Sequence, residues 1–125
     1  MMRTPLKHVT GLGSAKSGTE HFWMQRLTAL ALIPLGIWFV YSVLSLTGMQ
    51  HAGVTQWMRH PINATLLAVM AATVFYHSKL GVQVVFEDYI HTGWLRFTAL
   101  ILNDFVHVLL GAAAVISVLR VAFGS

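Results

Sequence analysis

Three apolar stretches govern what this chain can fold into: about Phe22 to Thr47, about Pro61 to Phe86, and about Leu95 to Phe123. A helix needs roughly 20 apolar residues to cross a bilayer, and each stretch is long enough. No water reaches the hydrocarbon to satisfy backbone N–H and C=O groups, so segments of this length close their own hydrogen bonds as helices. The sequence therefore predicts an all-α membrane protein with three transmembrane helices. With 56% hydrophobic residues, only 10% charged and a mean hydropathy of +0.67, the composition lies outside the soluble range. None of the three stretches reads as a cleaved signal: the first follows about twenty polar residues and lacks a small-residue cleavage site.

Residues 1–20 contain Arg3, Lys7, Lys16, Pro5 and three glycines, and are expected to form a flexible basic tail; residues 21–125 form the three-helix anchor. Trp23 and Arg26 mark the headgroup edge of the first helix, and Trp94 and Arg96 that of the third. Pro34 is expected to bend the first helix, and Pro61 to open the second. Gly48 to His60 reads as a short connection and Ile90 to Trp94 as a turn.

The net charge of +4 comes from single basic residues along apolar segments, which suits anionic lipid rather than nucleic acid. Arg3, Lys7, Lys16, Arg26 and Arg96 place five charges on one side of the membrane. Arg59 and Arg120 place two on the other, and Lys79 lies within it. The N-terminus and the Glu87–Trp94 turn are thus expected in the cytoplasm, with the C-terminus on the periplasmic side. The chain has no cysteine, which excludes disulfides, thiolate metal sites and iron–sulfur ligation within it.

Candidate chemistry concentrates in Thr73–His91. His77 lies eleven residues before Asp88, or ~16 Å along a helix, near mid-membrane. A neutral imidazole there can ligate haem iron through one ring nitrogen while the other makes a hydrogen bond. Gly81 at i+4 leaves flat space on the same face. Equally, His77 can bond to a neighbouring helix and Gly81 can permit close packing; spacing alone leaves both open. Lys79 points elsewhere on the helix and can reach a haem propionate, a protein acid or the headgroups. Glu87, Asp88, Tyr89 and His91 read either as an ordinary polar helix end or as a site for a quinone, whose carbonyl accepts from a phenol hydroxyl while an acid or imidazole relays protons. On the third helix, Asp104 and His107 share a face. A polar clamp joining Asp104 to His107 or Lys79 is preferred there over a bis-histidine haem made by His77 and His107. His8, His21, His51 and His60 read as solvated.

The tract His77-x-x-x-Gly81, Gln83-Val84-Val85, Asp88-Tyr89-Ile90-His91 resembles the small cytochrome b membrane-anchor subunit, the D-type subunit, of succinate dehydrogenase, respiratory complex II. His21-Phe-Trp-Met-Gln-Arg26-Leu-Thr-Ala-Leu-Ala-Leu-Ile-Pro34-Leu is similar to the first helix of its bacterial members, so the resemblance covers nearly the whole chain. The companion C-type anchor carries an R-P-x-S-P-H tract that this chain lacks. The resemblance implies a heteromeric helical bundle in the bacterial inner membrane that docks a flavoprotein and an iron–sulfur subunit. It implies that His77 is one axial ligand of haem b, with the second from the C-type anchor. It also implies that Tyr89 hydrogen-bonds ubiquinone beside Asp88, and that Arg26 lines the quinone or propionate region. Glu87 stands where the family often has threonine. The expected function is electron transfer from succinate to quinone, with no catalysis by this chain alone. The rivals are a self-contained b-type cytochrome, a non-redox scaffold or transporter subunit built on Lys79 and Asp104, and fumarate reduction in the reverse direction.

Overall fold

The computed structural model describes residues 5–124, with side chains from Gly18 onward. Four helices follow in order: α1 (Pro5–Leu46), α2 (His51–Arg59), α3 (Pro61–Tyr89) and α4 (Gly93–Ala122). Three of them contain apolar spans long enough to cross a membrane, Gly18–Leu46, Pro61–Tyr89 and Gly93–Ala122. No strand occurs among the described residues.

Of the flexible tail expected over residues 1–20, residues 1–4 lie outside the described residues. From Pro5 the backbone is helical and continuous with the first span. Extending an existing helix needs no new nucleus, so three glycines at about 1 kcal/mol each do not stop it. The helix also runs on through Pro34, at the loss of the bond to the carbonyl four residues before. It ends at Leu46, and Gly48 turns the chain with φ +86°, a conformation that a side chain would strain.

The expected connection Gly48–His60 contains a helix. In α2, Val54, Trp57 and Met58 share one side and are half-buried, and Trp57 stacks on Trp38 of α1 at 5.8 Å between ring centroids. His60, read from sequence as solvated, caps α3: its Nδ1 accepts the Ile62 N–H at 3.3 Å, and Pro61 takes the first helical position. Arg59 donates from Nε to the Val121 carbonyl at 3.5 Å, setting a cation against the C-terminal end of α4. So α2 ties the ends of all three spans together.

Packing centres on α3, which meets α4 along most of its length and α1 on another side. Gly111, buried in α4, marks a close approach: a Cβ there would lie 3.2 Å from the Phe75 Cβ. Small residues at membrane helix contacts allow such proximity. Among the described residues, Leu80 is the one buried apolar side chain, while residues such as Leu30, Ile37, Phe97 and Leu109 lie more than half exposed. The apolar faces point outward, as they do when lipid or other chains are the surroundings.

Candidate functional site

Polar side chains gather near the middle of the bundle. The midpoint of α3 falls at Phe75, so His77 is only ~3 Å along the axis from it, and His107 lies at the midpoint of α4. Successive helical residues point about 100° apart, so His77, Ser78 and Lys79 leave α3 in three directions.

His77 turns toward α1. Its Nδ1 lies 2.9 Å from Thr28 Oγ1, and the half-buried ring keeps Nε2 as the nitrogen not engaged in that bond. Beside it, a Cβ built on Gly81 would meet nothing within 4 Å. Val84 and Asp88 continue the same face toward the helix end. One imidazole with one nitrogen engaged, next to open space, fits a planar ligand such as haem bound through a single histidine. Among the described residues, no three of His, Asp and Glu converge on one metal position.

Lys79 turns the other way, toward α4. Its Nζ lies 3.8 Å from Asp104 Oδ1 and 5.6 Å from the Tyr76 ring centroid. Of the partners open to Lys79, the structure supplies the protein acid. Charged residues at mid-membrane cost roughly 2.5–3.5 kcal/mol each on insertion scales, which favours holding them together. The expected clamp is thus present with Lys79 as the partner of Asp104. It is extended by Asn103, which is only 5% exposed and donates from Nδ2 to the Lys79 carbonyl at 3.1 Å.

His107 belongs to the same α3–α4 seam. Its Nδ1 bonds to the Asn103 carbonyl at 2.9 Å, and its Nε2 lies 3.1 Å from Ser78 Oγ. The carbonyl can only accept, so Nδ1 carries the proton and Nε2 accepts from the serine. Both ring nitrogens are occupied, on a side of α3 that His77 does not face. The structure does not bring the two histidines together as a ligand pair.

The expected cluster at the end of α3 divides. The helix continues to Tyr89 rather than ending near Phe86, so Glu87, Asp88 and Tyr89 fan out around its last turn. Glu87 accepts from Gln83 Nε2 at 2.9 Å, one turn back. Asp88 is exposed on the His77 face, whereas Tyr89 is 79% exposed and makes no hydrogen bond among the described residues. His91 is exposed beyond the helix. Arg26 is exposed on α1, its guanidinium 4.6 Å from the centroid of the Phe22 ring. His21, expected to be solvated, is half-buried, and its Nε2 has no partner among the described residues. His51 is exposed, and the His8 side chain lies outside the described residues.

Thr28 escaped the sequence reading. A lone hydroxyl in an apolar helix ordinarily bonds to its own backbone. Its pairing with His77 depends on how α1 and α3 are set against each other, which no local pattern encodes.

These features define a polytopic helical membrane protein with single, differently directed histidines at mid-depth and, among the described residues, almost no core of its own. A family model described as succinate dehydrogenase/fumarate reductase transmembrane subunit matches residues 1–117. The succinate dehydrogenase hydrophobic membrane anchor subunit of Rickettsia bellii is 34% identical over 116 residues, 93% of either chain. The subunit of the same name from Paracoccus denitrificans is 30% identical over 122 residues, 98% of this chain and 94% of that one. The succinate dehydrogenase membrane anchor subunit of Porphyra purpurea is 32% identical over 110 residues, 88% of this chain and 90% of that one. No solved structure matches the chain at comparable significance. The chain belongs to the family of succinate dehydrogenase/fumarate reductase transmembrane subunits.

Proposed function

We propose that this protein is the D-type membrane anchor of a succinate:quinone oxidoreductase in a bacterial inner membrane. Its partners are a C-type anchor, an iron–sulfur subunit and a flavoprotein, the last two docked on the cytoplasmic face. The basic N-terminal side and Arg96 support that orientation. The observation that carries the reading is His77: one ring nitrogen is engaged by Thr28, and the other is left for a ligand beside the open face at Gly81.

In this reading, His77 Nε2 would hold the iron of haem b together with a residue of the sister anchor. Haem bound there supplies a one-electron iron couple between the soluble partners and the quinone. The Tyr89 hydroxyl has no partner within the described residues, which supports the reading that it donates to a quinone carbonyl at the membrane edge. Asp88 next to it, on the His77 face, can pass protons from the cytoplasm, and Arg26 can hold the polar rim. Quinone reduction takes two electrons and two protons; succinate oxidation to fumarate releases the same number of each. Lys79, held by Asp104, serves the α3–α4 contact.

The test is an optical spectrum of the affinity-purified complex, wild type against His77→Ala. The reading expects the b-type signal to be lost or altered. An unchanged spectrum with unchanged haem content overturns the ligand assignment. For the quinone, Tyr89→Phe is expected to impair quinone reduction while sparing succinate oxidation by a soluble artificial acceptor; equal loss of both counts against the assignment.

A further inference from the structure

We infer that Thr28 is the positioning residue of His77, fixing which imidazole nitrogen carries the proton and thereby setting how strongly the other nitrogen donates to iron. The inference rests on the reading of His77 as a haem ligand and extends it to a second helix.

The direction of the Thr28–His77 bond follows from the backbone around it. Thr28 Oγ1 lies 2.8 Å from the Met24 carbonyl oxygen and 3.0 Å from that of Gln25. Two oxygens so close need a proton between them, and a carbonyl has none to give. The single hydroxyl proton of Thr28 is therefore committed to its own helix, in the back-bonded geometry common for threonine in membrane helices. What Oγ1 offers His77 at 2.9 Å is a lone pair. So Nδ1 carries the proton and donates it to Thr28. A neutral imidazole has one N–H, hence Nε2 bears the free lone pair.

Two consequences follow for iron at Nε2. The ring is held in one tautomer and one orientation, so no reorganisation precedes ligation. Donation from Nδ1–H to an oxygen also raises electron density on the ring, which favours ferric over ferrous iron and lowers the midpoint potential. Little water competes at this depth, so the bond acts in a medium of low dielectric. His107 shows the contrast: its Nδ1 also donates to an oxygen, but its Nε2 is taken by Ser78. Both histidines are thus fixed in the same tautomer, and what distinguishes the ligand-ready one is that no hydroxyl takes the Nε2 lone pair that Thr28 leaves bare.

The experiment uses the whole complex, purified with haem, and compares Thr28→Val, Thr28→Ser and His77→Ala. The readouts are haem content, midpoint potential and the ferric low-spin resonance spectrum. Valine keeps the branched shape and removes the acceptor; serine keeps the acceptor. Thr28→Val is expected to raise the midpoint potential and shift the ferric resonance, with weaker haem retention, and Thr28→Ser to restore both. Outer partners of ligating histidines typically change metal affinity 10–100-fold. A tenfold loss of preference for the ferric state reads as about 59 mV in a one-electron couple. Should valine block assembly, Thr28→Ala carries the same expectation.

Loss of haem from valine or alanine but not from serine also supports the inference. Loss from all three, serine included, overturns it by showing that packing rather than the hydroxyl matters. Unchanged potential and resonance in Thr28→Val, with haem lost in His77→Ala, overturns the role of Thr28 and leaves the ligand reading standing. An intact haem signal in His77→Ala overturns that reading itself.

Discussion

Replacing Lys79 with methionine leaves the Asp104 carboxylate without its cation at mid-membrane. At their separation of 3.8 Å, Coulomb's law gives about 4 kcal/mol for an effective dielectric constant of ~20. That figure is an upper bound, because the two side chains are 25% and 56% exposed within the chain and each loses solvation on pairing. Coupling between polar groups in membrane helices averages about 0.6 kcal/mol and reaches about 1.7. We therefore expect a coupling of about 1–2 kcal/mol, equivalent to a five- to thirty-fold change in an equilibrium. The assay is a double-mutant cycle with Lys79→Met, Asp104→Leu and the double variant. The complex is challenged with sodium dodecyl sulfate, and the assembled fraction is read on a native gel. Each single variant is expected to dissociate more readily than wild type. The double variant is expected to hold together five- to thirty-fold better than the product of the single losses. Single effects that combine additively, within about 0.3–0.5 kcal/mol, refute the argument, since groups that matter only separately are not a pair.

Two further perturbations probe the same seam. Gly111→Val places a branched side chain where even a Cβ would lie 3.2 Å from the Phe75 Cβ, an atom tied closely to the backbone. Helices must then move apart, at about 1–3 kcal/mol for overpacking, and the assembled fraction in the same assay should fall several-fold. Asn103→Leu loses a hydrogen bond worth about 0.6–1 kcal/mol but also removes Oδ1, a buried acceptor without a partner among the described residues. The two effects offset, so stability is expected to change by less than about 1 kcal/mol. A tenfold loss of assembled complex would instead show that Oδ1 is bonded across a subunit boundary.

What the sequence made legible was set by length and by hydrocarbon. Three spans follow from uninterrupted apolar runs, and His77, Lys79, Asp104 and His107 stand out because polar side chains there are costly. What it hid depends on which helix faces which. His77 and Lys79 are two residues apart, yet one meets α1 and the other α4. Glu87, Asp88 and Tyr89 look like one cluster in a line of letters and separate once the helix carries them around its axis. The α2 helix was hidden for another reason: glycine, histidine and glutamine in a nine-residue segment resemble a loop, and its order comes from stacking on Trp38 and packing on α3 and α4.

Asp104 has a consequence for the life of the chain in the cell. More than half of its side-chain surface is open in the isolated chain, even with Lys79 beside it. Lipid readily covers Leu30 or Phe97, but it solvates a carboxylate poorly. A surplus copy, synthesised beyond the supply of its companions, would therefore display a charge to the acyl chains and draw water and headgroups inward around it. Association with a neighbour that covers the carboxylate is then favoured over the lone chain in lipid by the cost of that defect.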